Sequence, residues 1–353
     1  TGDDSPQVAA ADGEKRSIIA EAWRLATPYF RSDEKWWAWV LLIAVIGLNL
    51  ANVYIDVRIN KWNNVFFDAI QNKNASAFFT QLGVFAILAF AAIVISVYAL
   101  YLNQMLQIRW RRWLTDRYVT GWLAHRVYFR LQLQSQGTDN PDQRISEDLN
   151  QFTSYVMGLT LGILTSVVSL VSFLFILWGL SGPAEVPFFG MGKLYIPAYL
   201  VWCAILYAGI GTWLTVKIGR PLVPLNFAQQ RFEADFRFSL VRLRENAESI
   251  AFYRGEEPER RIFRRRFDHV FDNFWAIMLR RKKLNWFQSF YGQAAVIFPY
   301  LVAAPRYFAG QIQMGGLMQI GDAFISVQNS LSFIINSYTE IAAWSAVTQR
   351  LST

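Results

Sequence analysis

Long apolar stretches alternate with charged stretches along the chain, and this pattern predicts helices that cross a membrane. Five of the apolar stretches are almost free of charge, and a sixth is interrupted by small polar residues. A helix of about 20 residues, at a rise of 1.5 Å per residue, crosses a hydrocarbon layer of roughly 30 Å. We therefore predict an all-α integral membrane protein with six spans, at about 36–57, 78–106, 152–180, 194–218, 284–308 and 317–344.

The residues before the first span predict an amphipathic helix that lies in the membrane interface. An apolar stripe at helical spacing runs from Ile18 to Leu25 and ends at Pro28, and Trp36, Trp37 and Trp39 follow as an aromatic belt. We assign 15–35 to this elbow helix and 36–353 to the six-helix domain. The small, acidic and polar residues 1–14 are expected to form a disordered cytoplasmic leader.

Basic residues orient the predicted spans. The connections after spans two and four are long and hold seven Lys/Arg between Gln104 and Gln151 and sixteen between Lys217 and Lys283. The short connections hold five, so the positive-inside rule places the long connections and both termini in the cytoplasm. Apolar residues recur at helical spacing in 106–133, 222–252 and 260–283, which predicts that the helices extend as rods beyond the membrane.

Composition limits the chemistry that the chain can perform. The 54% hydrophobic content exceeds that of an ordinary water-soluble domain, and the net charge of +8 is explained by membrane topology. Because the basic residues lack aromatic stacking partners, we do not expect nucleic acid as a partner. Cys203, His125 and His269 are too few and too scattered for a metal site. Gly192-Lys193 precedes Leu194, so a phosphate-binding loop is not expected, and neither is a catalytic site.

Two polar segments are predicted to form the tips of the rods. In TDNPDQRISED (138–148), turn-forming residues precede Pro141, and acidic residues suit the first turns of a short exposed helix. A solvated turn with a capped helix is the alternative reading. In RENAESIAFYRGEEPER (244–260), Phe252 and Tyr253 stand beside Gly255, and exposed aromatic residues there favour docking to another protein.

Polar residues within the spans are the remaining signal. Such groups are unfavourable in hydrocarbon, so they face either a water-filled cavity or a partner helix, and the sequence does not decide between the two. The residues concerned are Asn49, Asn52, Asp56, Gln319, Asp322, Ser326, Asn329, Asn336, Thr339 and Glu340.

Several motifs resemble one family of transporters. WRRWLTDRY (110–118), DNPDQRI (139–145) and ESIAFYRGE (248–256) are similar to the membrane domain shared by peroxisomal fatty-acyl ABC half-transporters and their bacterial relatives. NKWNNVFFDAIQ (60–71), LGVFAILAFAAIVIS (82–96) and INSYTEIA (335–342) resemble the SbmA/BacA peptide importers of the bacterial branch. The resemblance implies a type IV ABC exporter-like fold and a domain-swapped homodimer. Ser249 departs from the half-transporter pattern, where a second Glu is usual.

The resemblance also implies partners and roles. VTQRLST (347–353) resembles the start of a nucleotide-binding domain, which we expect beyond Thr353 together with its ATP and Mg; ATPase activity is expected only there. The residues that resemble the coupling elements contacting that domain are Asn140, Pro141, Asp142, Gln143, Arg144, Glu248, Phe252, Tyr253, Gly255 and Glu256.

The expected function is import of peptides or other bulky hydrophilic solutes across the bacterial inner membrane by alternating access. One alternative is a proton-driven SbmA/BacA-type importer without an ATPase, for which Asp56, Asp68, Glu233, Asp322 and Glu340 are the available carboxylates. Others are a fatty-acyl-CoA or lipid transporter, and a membrane scaffold or receptor without transport. The candidates for lining the substrate cavity or a proton path are Asn52, Asp56, Gln319, Asp322, Asn329, Asn336 and Glu340.

Overall fold

The computed structural model describes residues 18–129, 141–182, 184–187 and 193–352, and nearly all of them are helical. The predicted leader and Asn140 lie outside the described residues. The helices are α1 Ile18–Ala26, α2 Lys35–Gln71, α3 Ala75–Leu123, α4 Pro141–Leu180, α5 Tyr199–Gly219, α6 Leu222–Glu245, α7 Ala247–Phe252, α8 Glu256–Phe308, α9 Met314–Asn336 and α10 Tyr338–Ser352. Short 3-10 turns occupy Tyr29–Arg31 and Ala124–Arg126.

Four helices of the described chain are long and apolar enough to cross a membrane. They are α2, α3, α4 and the continuous stretch Tyr199–Glu245, which contains α5 and α6. These helices contain the first three predicted spans and the part of the fourth that follows Tyr199. The predicted fifth and sixth spans fall within α8 and α9, whose polar residues, such as Gln293 and Asp322, lower the average apolar character. The crossing of the membrane by these two helices stays a prediction.

Some helix ends differ from the approximate bounds predicted for the spans. The fourth span was placed from residue 194, but β2 (Lys193–Ile196) pairs there antiparallel with β1 (Ala184–Pro187), and α5 begins only at Tyr199. The described fold is helical apart from this one short pair of strands, in keeping with the all-α prediction. Val, Tyr and Ile are favoured in strands as well as in apolar spans, so apolar content alone does not locate the start of α5.

Helix ends within the elbow region and the sixth predicted span also differ from the predicted bounds. Helix α1 ends at Ala26, since Pro28 lacks an amide hydrogen and a 3-10 turn follows it. The stretch 317–344 is divided at Ser337, where α9 ends and α10 begins. The helical rods predicted after spans two and four are present in α3, α6 and α8.

The chain folds as two compact units. The first contains the described residues up to Trp62, those between Phe79 and Ser169, and those from Asn336 onward. Its core is built on Trp110, whose ring stacks on Tyr29 at 6.0 Å and meets Phe152 edge-on at 5.8 Å. Val347 and Leu351 of α10 are buried in the same cluster. One core thus holds together the turn after α1 and the helices α3, α4 and α10.

The second unit contains Asn63–Phe78 and Leu170–Ile335. Helix α5 packs on α8 through Tyr207 and Tyr291, whose rings stack at 4.6 Å. Each hydroxyl donates a hydrogen bond to the other residue's carbonyl, at 2.6 Å from Tyr207 and 3.2 Å from Tyr291. Lower on the rods, the Asn273 amide of α8 donates to the carbonyl of Leu225 on α6, at 2.9 Å. These paired polar groups fix the register of α8 against its neighbours.

Candidate functional site

The first predicted tip is the start of α4. Pro141 is its first residue, where a missing amide hydrogen leaves no helical bond unmade. The α-helical turn Pro141–Gln143 passes into a π-helical turn at Arg144–Asp148 before the regular helix resumes at Leu149. Asp142 and Gln143 are exposed, while Arg144 is half-buried. The described part of this tip therefore forms the polar first turns of α4, and the short exposed helix across the end of the rod stays a prediction.

Two arginines from other helices hold the first tip in place. Arg111 of α3 donates to the side-chain oxygen of Asn150 and to the backbone carbonyl of Ser146, both at 3.1 Å. Arg350 of α10 donates from Nε and Nη2 to the two carboxylate oxygens of Asp148, at 2.8 and 2.7 Å. The Asp148 side chain is 2% exposed and that of Arg350 is 48% exposed. Neither arginine was among the predicted site residues.

The second predicted tip is α7 and the turn after it. Phe252 and Tyr253 are each 80% exposed, and their rings meet edge-on at 5.2 Å. Arg254 follows in the left-handed region with φ 51°. The amide of Gly255 donates to the carbonyl of Ile250 at 2.8 Å and that of Arg254 to Ala251 at 3.3 Å. This pair of bonds is the Schellman arrangement that ends a helix sharply, and it leaves both aromatic rings in solvent.

The second tip is also braced from the rod below it. Glu248 lies in the first turn of α7, and Glu256 opens α8 with two further acidic residues, where the helix dipole favours negative charge. Arg242 of α6 bonds Glu259 of α8 at 3.0 Å. The exposed aromatic pair thus stands on a helical hairpin with a defined end.

A polar network in the second unit joins the end of α2 to the start of α9. The amide of Gly315 donates to Asp68 Oδ1 at 2.7 Å, and that of Met314 to Gln71 Oε1 at 2.6 Å. Side chains from α2 therefore satisfy the first amides of α9, which have no partner within their own helix. Further along, the Asn64 amide donates to Gln319 at 2.7 Å, Asn63 donates to Asp322, and Asn72 donates to Gln313 at 3.2 Å.

Two of the predicted cavity residues, Gln319 and Asp322, take part in this network. Gln319 and Asp322 are brought together with amides of α2, an arrangement that favours helix-to-helix hydrogen bonding for both. The α2 partners were missed, although residues 60, 64, 68 and 71 recur at helical spacing within NKWNNVFFDAIQ and so mark a polar face.

The other predicted polar residues are not gathered into one cluster among the described residues. In the first unit, Asn52 accepts a hydrogen bond from Ser96 at 3.0 Å. The remaining candidates have exposed side chains on the single chain; they are Asp56, Asn329, Asn336 and Glu340. Glu233, an alternative proton-path carboxylate, is exposed on its rod and accepts from Gln229 at 3.0 Å.

A cavity of about 380 Å³ lies in the first unit between α1, α3 and the start of α4. Its apolar wall includes Leu25, Trp113 and Trp122, and three arginines also line it: Arg24, Arg117 and Arg144. The Arg117 guanidinium stacks over the Trp113 ring at 5.3 Å. Across the described residues, no group of three or more His, Cys, Asp and Glu side chains is placed to hold a metal ion.

The described chain has four helices long and apolar enough to cross a membrane, together with basic helical rods and two tips held by hydrogen bonds. These features indicate a polytopic helical membrane protein. A profile of the family described as ABC transporter transmembrane region 2 matches residues 25–308. The chain belongs to this family of ABC transporter membrane regions.

Curated relatives agree with this assignment. The chain is 35% identical over 95% of its length to the inner membrane ABC transporter ATP-binding protein YddA of Escherichia coli, covering 60% of that protein. It is also 35% identical, over 96% of its length, to the chloroplastic ABC transporter D family member 2 of Arabidopsis thaliana, covering 46%. An uncharacterized ABC transporter ATP-binding protein of Haemophilus influenzae is 34% identical over 84% of this chain, which covers 49% of it. The chain thus spans about half the length of these relatives.

Proposed function

We propose that this chain is the membrane domain of an ATP-driven ABC half-transporter in the bacterial inner membrane. It pairs with a second copy of itself, and each copy works with a nucleotide-binding domain that supplies ATP and Mg²⁺ chemistry. The observation that carries the proposal is the family match over residues 25–308, together with two exposed, braced tips where a motor domain can dock. Both termini and both tips lie in the cytoplasm.

The mechanism is alternating access. ATP binding draws the two nucleotide-binding domains together, and the tips at Pro141–Arg144 and Glu248–Glu256 transmit this movement to the rods. Each tip suits the task because its backbone is fixed by hydrogen bonds while its contact residues stay exposed. Rods that move as rigid helices then open the cavity between protomers to one face or the other, and ATP biases these two global states.

The first candidate cargo is a peptide or another bulky hydrophilic solute, and the direction is import. Six spans from one chain enclose little space, whereas a dimer encloses a cavity between copies. Asp56, Asn329 and Glu340, which are exposed on the single chain, are suited to line such a water-filled path.

The second candidate cargo is an amphipathic acyl thioester or lipid. The cavity beside α1 favours this cargo because it combines an apolar, tryptophan-rich wall with three arginines. A ligand that carries both an acyl chain and phosphate groups matches such a lining, since guanidinium groups bind phosphate in a fork geometry.

The test uses the full-length protein in sealed vesicles with ATP inside or outside. Uptake of a fluorescein-labelled basic peptide and of radiolabelled palmitoyl-CoA is measured with and without MgATP, and again with an uncoupler at constant ATP. ATP-dependent uptake of either cargo that survives the uncoupler supports the proposal and selects the cargo. Uptake that collapses with the uncoupler and ignores ATP supports a proton-driven importer and refutes the proposal.

A further inference from the structure

We propose that the ion pair between Asp148 and Arg350 is a positioning clamp that makes α10 and the first tip move as one body. The inference rests on the proposed function, because it concerns how a motor domain moves the tip. It adds two residues to the coupling machinery, and it adds a route that runs through the last helix of the membrane domain.

The geometry of the ion pair fixes the relative orientation of the two side chains as well as their separation. Arg350 reaches both oxygens of Asp148 with two different nitrogens, at 2.7 and 2.8 Å. A two-point contact between planar groups resists rotation, which a single charge contact does not. The hydrogen bonds to Asp148 also raise the pKa of Arg350 above its ordinary value, so the guanidinium stays charged. Since Asp148 is 2% exposed, water does not replace its partner easily.

Other bonds attach α10 to the same unit. The Tyr118 hydroxyl of α3 donates to the carbonyl of Leu351 at 3.0 Å, and the Ser352 hydroxyl donates to Glu21 of α1 at 3.2 Å. Val347 and Leu351 are buried in the core that Trp110 organises. The last turns of α10 are therefore held by α1, α3 and α4 together, with the Asp148 contact closest to the tip.

The position of Asp148 explains why this contact serves coupling. It is the last residue of the π-helical turn, directly between the tip at Pro141–Gln143 and the long regular part of α4. A single π turn interrupts the regular hydrogen-bond pattern of an α-helix, and such turns are frequently found at functional sites. Arg111 holds this turn through Ser146 and Asn150, which are exposed, and Arg350 holds it through the buried Asp148. Loss of the Arg350 fork would let the tip bend at this turn without moving α10.

Arg350→Lys is the informative variant. Lysine keeps the positive charge beside the buried carboxylate, which avoids leaving it unpaired, but it offers a point charge in place of the fork. Arg260→Lys is the matched control, because Arg260 contacts Glu257 in an exposed pair, with the two side chains 77% and 74% exposed. A surface ion pair of this kind contributes little to stability, so weakening it should not change the response of the first tip to nucleotide.

The experiment follows the first tip directly and needs no identified cargo. Ser146, which is exposed, is changed to Cys and spin-labelled in a Cys203→Ala background of the full-length dimer. The distance between the labels of the two protomers is measured while a non-hydrolysable ATP analogue with Mg²⁺ is titrated. ATPase rate and thermal unfolding are recorded for every variant.

We expect the parent and Arg260→Lys to close their tips at the same nucleotide concentration. Arg350→Lys should need roughly fivefold more nucleotide or more, the lower end of ordinary coupling strengths. Tyr118→Phe removes one bond to α10 and should shift the midpoint in the same direction by less; it also carries the test if Arg350→Lys does not fold. Midpoints equal to the parent in both variants would refute the clamp, even if their unfolding temperatures fall. A parent whose tips ignore nucleotide altogether would refute the proposed function instead.

Discussion

Replacing Gly315 by alanine should separate α9 from α2, whereas the same change at Gly316 should not. A Cβ on Gly315 would stand 2.6 Å from the carbonyl carbon of Asn64 and 2.6 Å from Asp68 Oδ1. The carbonyl oxygen of Asn64 would lie closer still, and ordinary carbon contacts begin near 3.5 Å, so the helices must part by at least about 1 Å at this point. A Cβ on Gly316 meets Ile312 Cβ at 3.6 Å and Asn64 Nδ2 at 3.9 Å, which are normal contacts.

The magnitude follows from three contributions. Overpacking of this kind costs about 1–3 kcal/mol. A 1 Å shift also breaks the bonds from Gly315 to Asp68 and from Met314 to Gln71, at about 0.5–1.5 kcal/mol each. Replacing either glycine by alanine also stabilises the helix by about 1 kcal/mol, because alanine has the higher helix propensity. Gly315→Ala should therefore destabilise the protein by about 1–5 kcal/mol, and Gly316→Ala should leave it unchanged or slightly more stable.

The assay is thermal unfolding of both variants in the same detergent, followed by size-exclusion chromatography of the detergent-solubilised protein. Gly315→Ala should lose several degrees relative to the parent, and Gly316→Ala should not. An equal loss in the two variants would show that helix entropy or local flexibility governs this junction rather than the close approach of α9 to the Asn64 carbonyl. An unchanged Gly315→Ala would mean that the amide caps from α2 do not hold α9 in place.

Three further changes test other parts of the structure. Gly211→Ala places a methyl group inside the ring of Tyr291 and should cost about 1–3 kcal/mol in thermal unfolding, whereas Gly209→Ala, with nothing within 4 Å, should be tolerated; equal behaviour would contradict the α5–α8 packing. Arg254→Gly relieves a left-handed arginine and should stabilise the protein by about 1 kcal/mol in denaturant unfolding, so a loss would count against the Schellman turn. Phe252→Ala should leave unfolding unchanged, because the ring is 80% exposed, but should lower nucleotide-stimulated activity of the full-length protein; unaltered activity would exclude this ring from docking.

Much of the helical framework could be predicted because its signals are local. Apolar runs and helical periodicity are properties of neighbouring residues, and α2, α3 and the hairpin of α6 and α8 follow from them. The helix start at Pro141 has a local signal of the same kind, because proline favours the first position of a helix. The exposed pair Phe252 and Tyr253 stands out because aromatic residues interrupt a polar run.

The remaining features depend on residues that are distant in sequence. Asp148 and Arg350 are 202 positions apart, and Asn63 and Asp322 are 259 apart. Each of these side chains, taken alone, looks like an ordinary polar residue, and only the folded chain shows that it has a specific partner.

The hydrogen bonds of the intramembrane polar residues distinguish two roles, helix packing and the lining of a water-filled path, between which the sequence does not decide. A polar side chain whose bonds are made by a neighbouring helix, such as Gln319 with Asn64, stabilises packing and is a poor candidate for a moving proton or cargo. A polar side chain that is exposed on an apolar helix must face water or a second copy of the chain, because lipid offers it no partner. Asp56 on α2 and Asn329 on α9 are of this second kind. Under the proposed function we therefore expect Asp56 and Asn329 each to be accessible to water, and Gln319 to affect transport only through the position of α9.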